Sequence, residues 1–361
     1  MIHLGISRKI DWQLVIPSFI LCVISLITLF SINPALFISQ FAFFFLSCGA
    51  FIFFSQVDVR QAEYFTLPIY ALSIISLLFL VFLGIESRGA VRWLDIAGFR
   101  IQFSEILKPF LGLALASYLS QKNDTSIATF GKVFLLLLPI AILIFKQPDL
   151  GTALIYIFTT VLTLLLYGFP AMWFAISAGV IALGIPFFWQ LLHQYQRQRL
   201  LTFLHFTNDP LGTSYNAIQA IIAVGSGALL GKGLGLGTQS GLRFLPERHT
   251  DFIFATLSED MGFIGGCIVI VAFSFLLLRF FRIFMSTDDL FSKTFIAFAF
   301  SLILIQAFLN IGMNIGIVPI VGVTLPFVSY GGSSLLTNAI LLGLVSSVGS
   351  FSKRKDTLEI R

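Results

Sequence analysis

The sequence predicts an all-α, polytopic integral membrane protein. Of its 361 residues, 57% are hydrophobic and only 11% are charged, where a soluble domain carries roughly 25% charged residues. The apolar residues gather in unbroken runs of about 20, the length a helix needs to cross hydrocarbon. A bilayer core offers no water to backbone groups, so spans are helices or closed barrels, and continuous apolar runs select helices.

About ten spans follow in order, within a single domain covering 1–361. Trp12–Ser31 lies behind Arg8-Lys9 and lacks a small-residue cleavage site, so it reads as a retained helix and not a removed signal. Leu36–Ser55 and Phe65–Gly84 come next. Ser104–Ser120 opens on Glu105 and Lys108, three apart and so on one helix face. Lys132–Phe145 and Gly151–Tyr167 are divided only by Lys146-Gln-Pro-Asp-Leu-Gly151, whose Pro and Gly would equally suit a kink in one long segment. Ala171–Gln190 is the seventh span. Asp251–Leu278, Thr294–Val318 and Gly332–Ser350 complete the set. Cys22, Cys48 and Cys267 sit inside apolar runs without paired spacing, which implies neither disulfide nor metal framework.

Basic residues in short loops orient the bundle. With the N-terminus inside, the cytoplasmic side collects Arg8, Lys9, Arg60, Lys122, Lys132, Arg279, Arg282, Lys293 and the Lys353–Lys355 cluster. An even span count then puts both termini in the cytoplasm and leaves a long extracytoplasmic loop, about 191–250, between spans seven and eight. Leu191–Phe206 mixes leucines with Arg197 and Arg199, a pattern for a helix at the interface. Ser214–Val224 resumes a helical pattern, and Gly225–Gly241 is glycine-punctuated loop. The outer segments also hold Arg92, Arg243 and Arg248. These basic residues suit lipid phosphates and internal pairing, or a substrate carrying phosphate.

The densest charge lies in Leu245–Ala255, where Glu247, Arg248, His249 and Asp251 precede an apolar run. Ionisable groups at the edge of hydrocarbon are costly and mark substrate pathways or catalytic sites. Asp251 is therefore the first catalytic candidate, with His249 beside it. Glu105 and Lys108 neutralise each other, and the pair either makes burial tolerable or orients a polar ligand. Glu259 and Asp260, further along the eighth span, line the same cavity or face protein. Gly231-Lys-Gly-Leu-Gly-Leu-Gly237 lacks the four-residue spacing and the Ser/Thr of a phosphate loop, and it contains no G-x-G-x-x-G. Its glycines suit flexibility or close approach to a ligand. Val318–Ser334 forms a constrained turn whose Ser329 and Tyr330 hydroxyls face the cavity in this reading. No metal spacing is present among His3, His193, His205 and His249.

These motifs converge. Arg88-Gly-Ala-Val-Arg-Trp-Leu94, Gln102-Phe-Ser-Glu-Ile-Leu-Lys108, Gln147-Pro-Asp-Leu-Gly-Thr152, Tyr215-Asn-Ala-Ile-Gln219, the Gly231–Gln239 loop, the Asp251 stretch and Leu325-Pro-Phe-Val-Ser-Tyr-Gly-Gly-Ser-Ser334 run through most of the chain. In this order they resemble the SEDS proteins (shape, elongation, division and sporulation), bacterial membrane polymerases of peptidoglycan. Pro-Glu-Arg-His-Thr-Asp and Val321-Gly-Val323 look more like the elongation branch than the division branch. Phe103 departs from the Pro common in the family before Ser-Glu.

The resemblance implies a peptidoglycan glycosyltransferase that polymerises lipid II into glycan strands at the outer face of the cytoplasmic membrane, with inversion. Asp251 would be the general base. Glu105, Lys108, Arg92, Arg197, Arg199, Arg243, Arg248, His249, Ser329 and Tyr330 would meet lipid II and the undecaprenyl-pyrophosphate-linked glycan. No cofactor is implied, a divalent cation being left open, and no nucleic acid. A class B penicillin-binding protein is the implied protein partner, docking on the ninth span through residues such as Phe298 and Phe308. A lipid II flippase or a non-catalytic scaffold are the rival functions. A flippase needs polar residues through the whole bilayer, and a scaffold leaves Asp251 without a task.

Overall fold

A computed structural model describes residues 10–359 apart from 84, 88–89, 97–98, 193 and 205–213. Its elements are α1 Trp12–Ile32, α2 Pro34–Gln56, α3 Val59–Ala62, a 3-10 turn at Glu63–Phe65, α4 Thr66–Leu83, β1 Ile85–Ser87, β2 Ala90–Ile96 and β3 Phe99–Ile101. Then come α5 Phe103–Ile106, α6 Lys108–Lys122, α7 Ile127–Lys146, α8 Leu150–Tyr167, α9 Ala171–Leu191, α10 Gln194–Leu204, α11 Tyr215–Ser226 and α12 Thr238–Gly241. The chain closes with α13 Ile253–Ser286, α14 Leu290–Asn314 and α15 Gly332–Glu359. Eight helices are long and apolar enough to cross a membrane among the described residues. The fourth and seventh expected spans correspond to α6, 15 residues with a lysine at each end, and α9, apolar over Ala171–Phe187.

Local chemistry sets the boundaries. Asn33 ends α1, and its side chain accepts from Ala35 N–H to start α2, with Pro34 at the first turn where no N–H is needed. Asp149 accepts from Thr152 N–H at 3.1 Å and so opens α8 as a helix of its own. The Lys146–Gly151 stretch is therefore a true break between two packed helices. The segment after α4 forms a three-stranded antiparallel meander in the order β1-β2-β3, a detail that hydropathy does not foretell.

Helices α14 and α15 are the most enclosed spans and form the centre of the bundle. Close approach there depends on small residues: a Cβ at Gly343 of α15 would sit 2.8 Å from the Phe51 carbonyl of α2, and one at Gly112 of α6 would strike the Phe298 ring. The start of α1 meets α15, with Asp11 N–H donating to Ser346 Oγ at 3.3 Å, and Arg279 of α13 pairs with the Asp11 carboxylate there. The other end of the bundle carries the remaining buried charges.

Helix α13 is broken at Gly262, whose φ of 68° and ψ of −165° interrupt the helical ladder. Orphaned backbone groups at membrane depth need partners inside the protein. The Gly-rich segment after α11 supplies them. Phe263 N–H donates to the Ala228 carbonyl at 2.8 Å and Ile264 N–H to Leu229 at 3.2 Å. The Glu259 and Asp260 carbonyls accept from Lys232 N–H at 3.0 Å and Gly233 N–H at 3.1 Å. Glycine is required here by contact, since a Cβ at Gly227 or Gly231 would collide with the Ser258 or Asp260 carbonyl. The loop is thus a plug for a broken helix, approaching the α13 backbone closely. Glu259 faces this loop, whereas Asp260 Oδ2 accepts from both Gly235 N–H of the loop and Ser31 Oγ of α1, each at 3.2 Å. The Glu259 carboxylate accepts from Lys232 Nζ, Thr238 Oγ1, Gln239 N–H, and both Ser240 N–H and Oγ, at 2.7–3.2 Å.

Candidate functional site

Asp251 lies just before α13, and the four successive carbonyls from Arg248 to Asp251 are each held by a different group. Thr256 Oγ1 donates to Arg248 O at 3.0 Å, Tyr330 N–H to His249 O at 2.9 Å and Ser329 Oγ to Thr250 O at 2.7 Å. The Asp251 carbonyl accepts from both Asn310 Nδ2 and Asn314 Nδ2, each at 3.0 Å. A backbone held this way presents its side chains in one place. The Asp251 carboxylate and the Arg199 guanidinium converge over Gly322: a Cβ there would stand 3.3 Å from Asp251 Oδ2 and 3.6 Å from Arg199 Nη1. Glycine, at φ 70°, keeps that space open.

Further basic side chains lie on the neighbouring segments. Arg248 and Arg243 are near enough to affect one another, and burial first, then Arg243, lowers the Arg248 guanidinium below its ordinary range. The Asp260 carboxylate opposes this shift in part, and a bound anion would act in the same sense. Arg197 donates to the Gln190 carbonyl at 2.7 Å, while its Nε is buried without a hydrogen-bond partner among the described residues. His249 packs against the Tyr330 ring at 5.6 Å between centroids. Arg243, Glu247 and Phe327 have positive φ of 63°, 53° and 65°, a costly conformation for non-glycine residues that clusters at functional sites. Arg92 lies on β2, but its side chain falls outside the described residues.

The turn from Leu325 to Gly331 frames the stretch. Ser329 Oγ also accepts from Leu325 N–H at 2.8 Å, so this buried hydroxyl is fully engaged with backbone. Ser329 thereby links the turn to the Asp251 stretch. Tyr330 OH reaches Ser39 Oγ at 3.3 Å. Gln40, Ser25 and the turn exchange further bonds, which tie it to α2 and α1.

A family pattern described as cell cycle protein, FTSW_RODA_SPOVE, matches residues 10–354. The chain belongs to this family. The chain is 38% identical over 301 residues to the peptidoglycan glycosyltransferase MrdB of Escherichia coli K12, covering 83% of this chain and 81% of that one. Its fold is similar to a chain from a structure described as structural coordination of polymerization and crosslinking by a peptidoglycan synthase complex. That match has a TM-score of 0.83 and 28% identity, and covers 96% of this chain and 99% of the other. It is also similar to the crystal structure of the rod shape determining protein RodA of Thermus thermophilus, with a TM-score of 0.71, 26% identity, and coverage of 94% and 97%.

In this FtsW/RodA/SpoVE chain a second polar centre adjoins the first. Lys108 is fully buried and pairs with Glu105 Oε1, while Glu105 Oε2 is buried with no hydrogen-bond partner among the described residues. Gln102 Nε2 donates to Asp149 Oδ2 at 3.0 Å and Gln102 N–H to Ser333 Oγ at 3.0 Å. Gly151 presses on the Val321 carbonyl, next to the Gly322 beneath Asp251. The segment 318–334 therefore stands between the two centres and touches both. Residue-type reasoning singled out the charged pair but passed over Asp149, Gln102, Asn310 and Asn314. The available signal was the amides at 310 and 314, four apart in an apolar span, where unpaired polar groups are expensive.

The Glu105–Lys108 pair separates by mutation. Glu105→Ala strands a buried ammonium and is expected to lose folded protein, whereas the double change with Lys108→Ala restores it. If Lys108 also contacts substrate, that folded double variant polymerises nothing. Full activity in it would leave the pair a structural role only.

Proposed function

We propose that this chain polymerises lipid II into glycan strands at the outer face of the cytoplasmic membrane, as a peptidoglycan glycosyltransferase serving cell elongation. The observation that carries the proposal is the Asp251 carboxylate, held beside Arg199 over Gly322 on a backbone gripped at four carbonyls. A sugar hydroxyl of the acceptor attacks the anomeric carbon of the lipid-pyrophosphate-linked chain. Asp251 takes the hydroxyl proton, the new C–O bond forms, and the bond to pyrophosphate breaks with inversion. General-base help of this kind is worth roughly 10²–10⁴-fold. The leaving pyrophosphate develops negative charge, which Arg199, Arg243 and Arg248 stabilise in this reading. MrdB carries the glycosyltransferase name, and the elongation role follows the motif wording and the RodA likeness.

A flippase would need ionisable groups through the full thickness of the bilayer. The described buried charges Glu105, Lys108, Asp149, Glu259 and Asp260 crowd toward the Asp251 end, with Asp11 and Arg279 at the opposite one. That asymmetry supports a one-sided enzyme. The basic-residue count places the termini end in the cytoplasm. Cysteine at Asn123, in a background without Cys22, Cys48 and Cys267, is then expected to resist an impermeant thiol reagent in intact cells, while one at Phe244 reacts. The reverse pattern would invert the topology.

For the transpeptidase partner, α14 offers a narrower surface than its composition suggests. Phe298 is buried against Gly112 and cannot meet a partner, whereas Phe308 is 54% exposed. The docking face we favour centres on the exposed Phe308, with the half-buried Leu304 one turn away. The function itself is tested with purified protein and its transpeptidase, given labelled lipid II and moenomycin. Glycan strands that persist despite the inhibitor support the assignment; folded complex that yields none rejects it.

A further inference from the structure

We infer that Asn310 and Asn314 of α14 are positioning residues for Asp251, which rests on the proposed role of Asp251 as the general base. The two side chains are fully buried and lie one helical turn apart on one face. Asn314 Nδ2 donates back to the Asn310 carbonyl at 2.8 Å as well as across to the Asp251 stretch, and both donors of Asn310 serve other segments. Asn314 spans the turn into α13, donating to Asp251 O at 3.0 Å and accepting from Ala255 N–H at 3.1 Å through Oδ1. Asn310 has the more telling pair of contacts: one N–H goes to Asp251 O at 3.0 Å and the other to Val323 O at 2.7 Å. Val323 follows Gly322, the residue over which the Asp251 carboxylate and Arg199 meet. One amide thus holds both the residue that bears the base and the strand beneath it. It sets the height of the carboxylate above that floor. A displacement of about 1 Å in a reacting group costs on the order of 10²-fold in rate.

Neither amide touches the carboxylate, so any effect on catalysis passes through Asp251. The test uses full-length protein reconstituted as above, with initial rates measured against lipid II concentration. Asn310→Leu, similar in volume and without donors, is expected to lower kcat by about 10–100-fold while KM changes by less than about twofold. Residues that act as one unit are not additive. In an Asp251→Glu background, where the carboxylate is already displaced, the same change is therefore expected to cost less than about threefold. Equal losses in both backgrounds, or a folded Asn310→Leu protein with parental kcat, would overturn the positioning role while leaving the base assignment intact. Near-parental rates for Asp251→Asn would instead remove the base itself. Should Asn310→Leu fail to fold, Asn314→Ser carries the test, with kcat down about 10-fold at unchanged KM. Failure of both to fold would assign the amides to stability alone and reject the inference.

Discussion

Asp251→Asn is expected to fold, insert and bind lipid II as the parent does, and to lose polymerisation by about 10²-fold or more. The substitution keeps the shape of the side chain but removes its capacity to accept a proton at neutral pH. Folding should survive because the structure grips this residue by its carbonyl, through Asn310 and Asn314, and that carbonyl is unchanged. Asp251→Glu keeps the carboxylate and moves it by roughly 1 Å, so it is expected to fall between the two. Rates on labelled lipid II, paired with thermal unfolding in detergent, decide the matter. A protein with parental rate would end the catalytic assignment. A protein with lowered melting temperature and proportionately lowered activity would make Asp251 an anchor for its neighbours.

Glu259→Ala is expected to act in the opposite way, with a large loss of stability that precedes any question of chemistry. Glu259 is fully buried and accepts from Lys232, Thr238, Gln239 and Ser240, which fastens the Gly-rich loop over the break at Gly262. Removing it leaves the partly exposed Lys232 ammonium to Thr238 Oγ1 and strands the backbone N–H groups of Gln239 and Ser240. Leaving a buried donor without its acceptor costs about 1–3 kcal/mol per group. Unseating the loop also exposes the carbonyls and N–H groups of the break, for which hydrocarbon offers no partner. The apparent melting temperature should drop by several degrees and expression should fall with it. Glu259→Gln, which still accepts hydrogen bonds, should lose less. Melting of Glu259→Ala within about a degree of the parent would show that the loop is not held by this carboxylate. The two acidic residues, eight apart in one helix entry, thus separate into a reactive group and a structural one.

Much of this site was legible in the residue order. Charge at the mouth of an apolar run has few structural excuses, so Asp251 stood out, and the three-residue spacing placed Glu105 beside Lys108 as the structure has it. The backbone partners of Ser329 were not legible, because a hydroxyl signals hydrogen bonding without naming its partner. Phe298 and Phe308 look alike in sequence, yet one is sealed against Gly112 and the other faces outward.

What the sequence determined by itself was the class of the protein and the succession of its apolar runs, because hydrocarbon imposes helices of this kind on any chain that enters it. It also marked where charge collects. Only the tertiary structure decided how each helix is rotated, and therefore which of its polar groups meet. In water an amphipathic stripe reveals the buried face of a helix, but lipid and protein core are equally apolar, so a span such as α2 shows no such stripe. The facing of Glu259 toward the Gly-rich loop, the break at Gly262 that this loop seals, and the amides of α14 beneath Asp251 arise from packing between segments far apart in the chain.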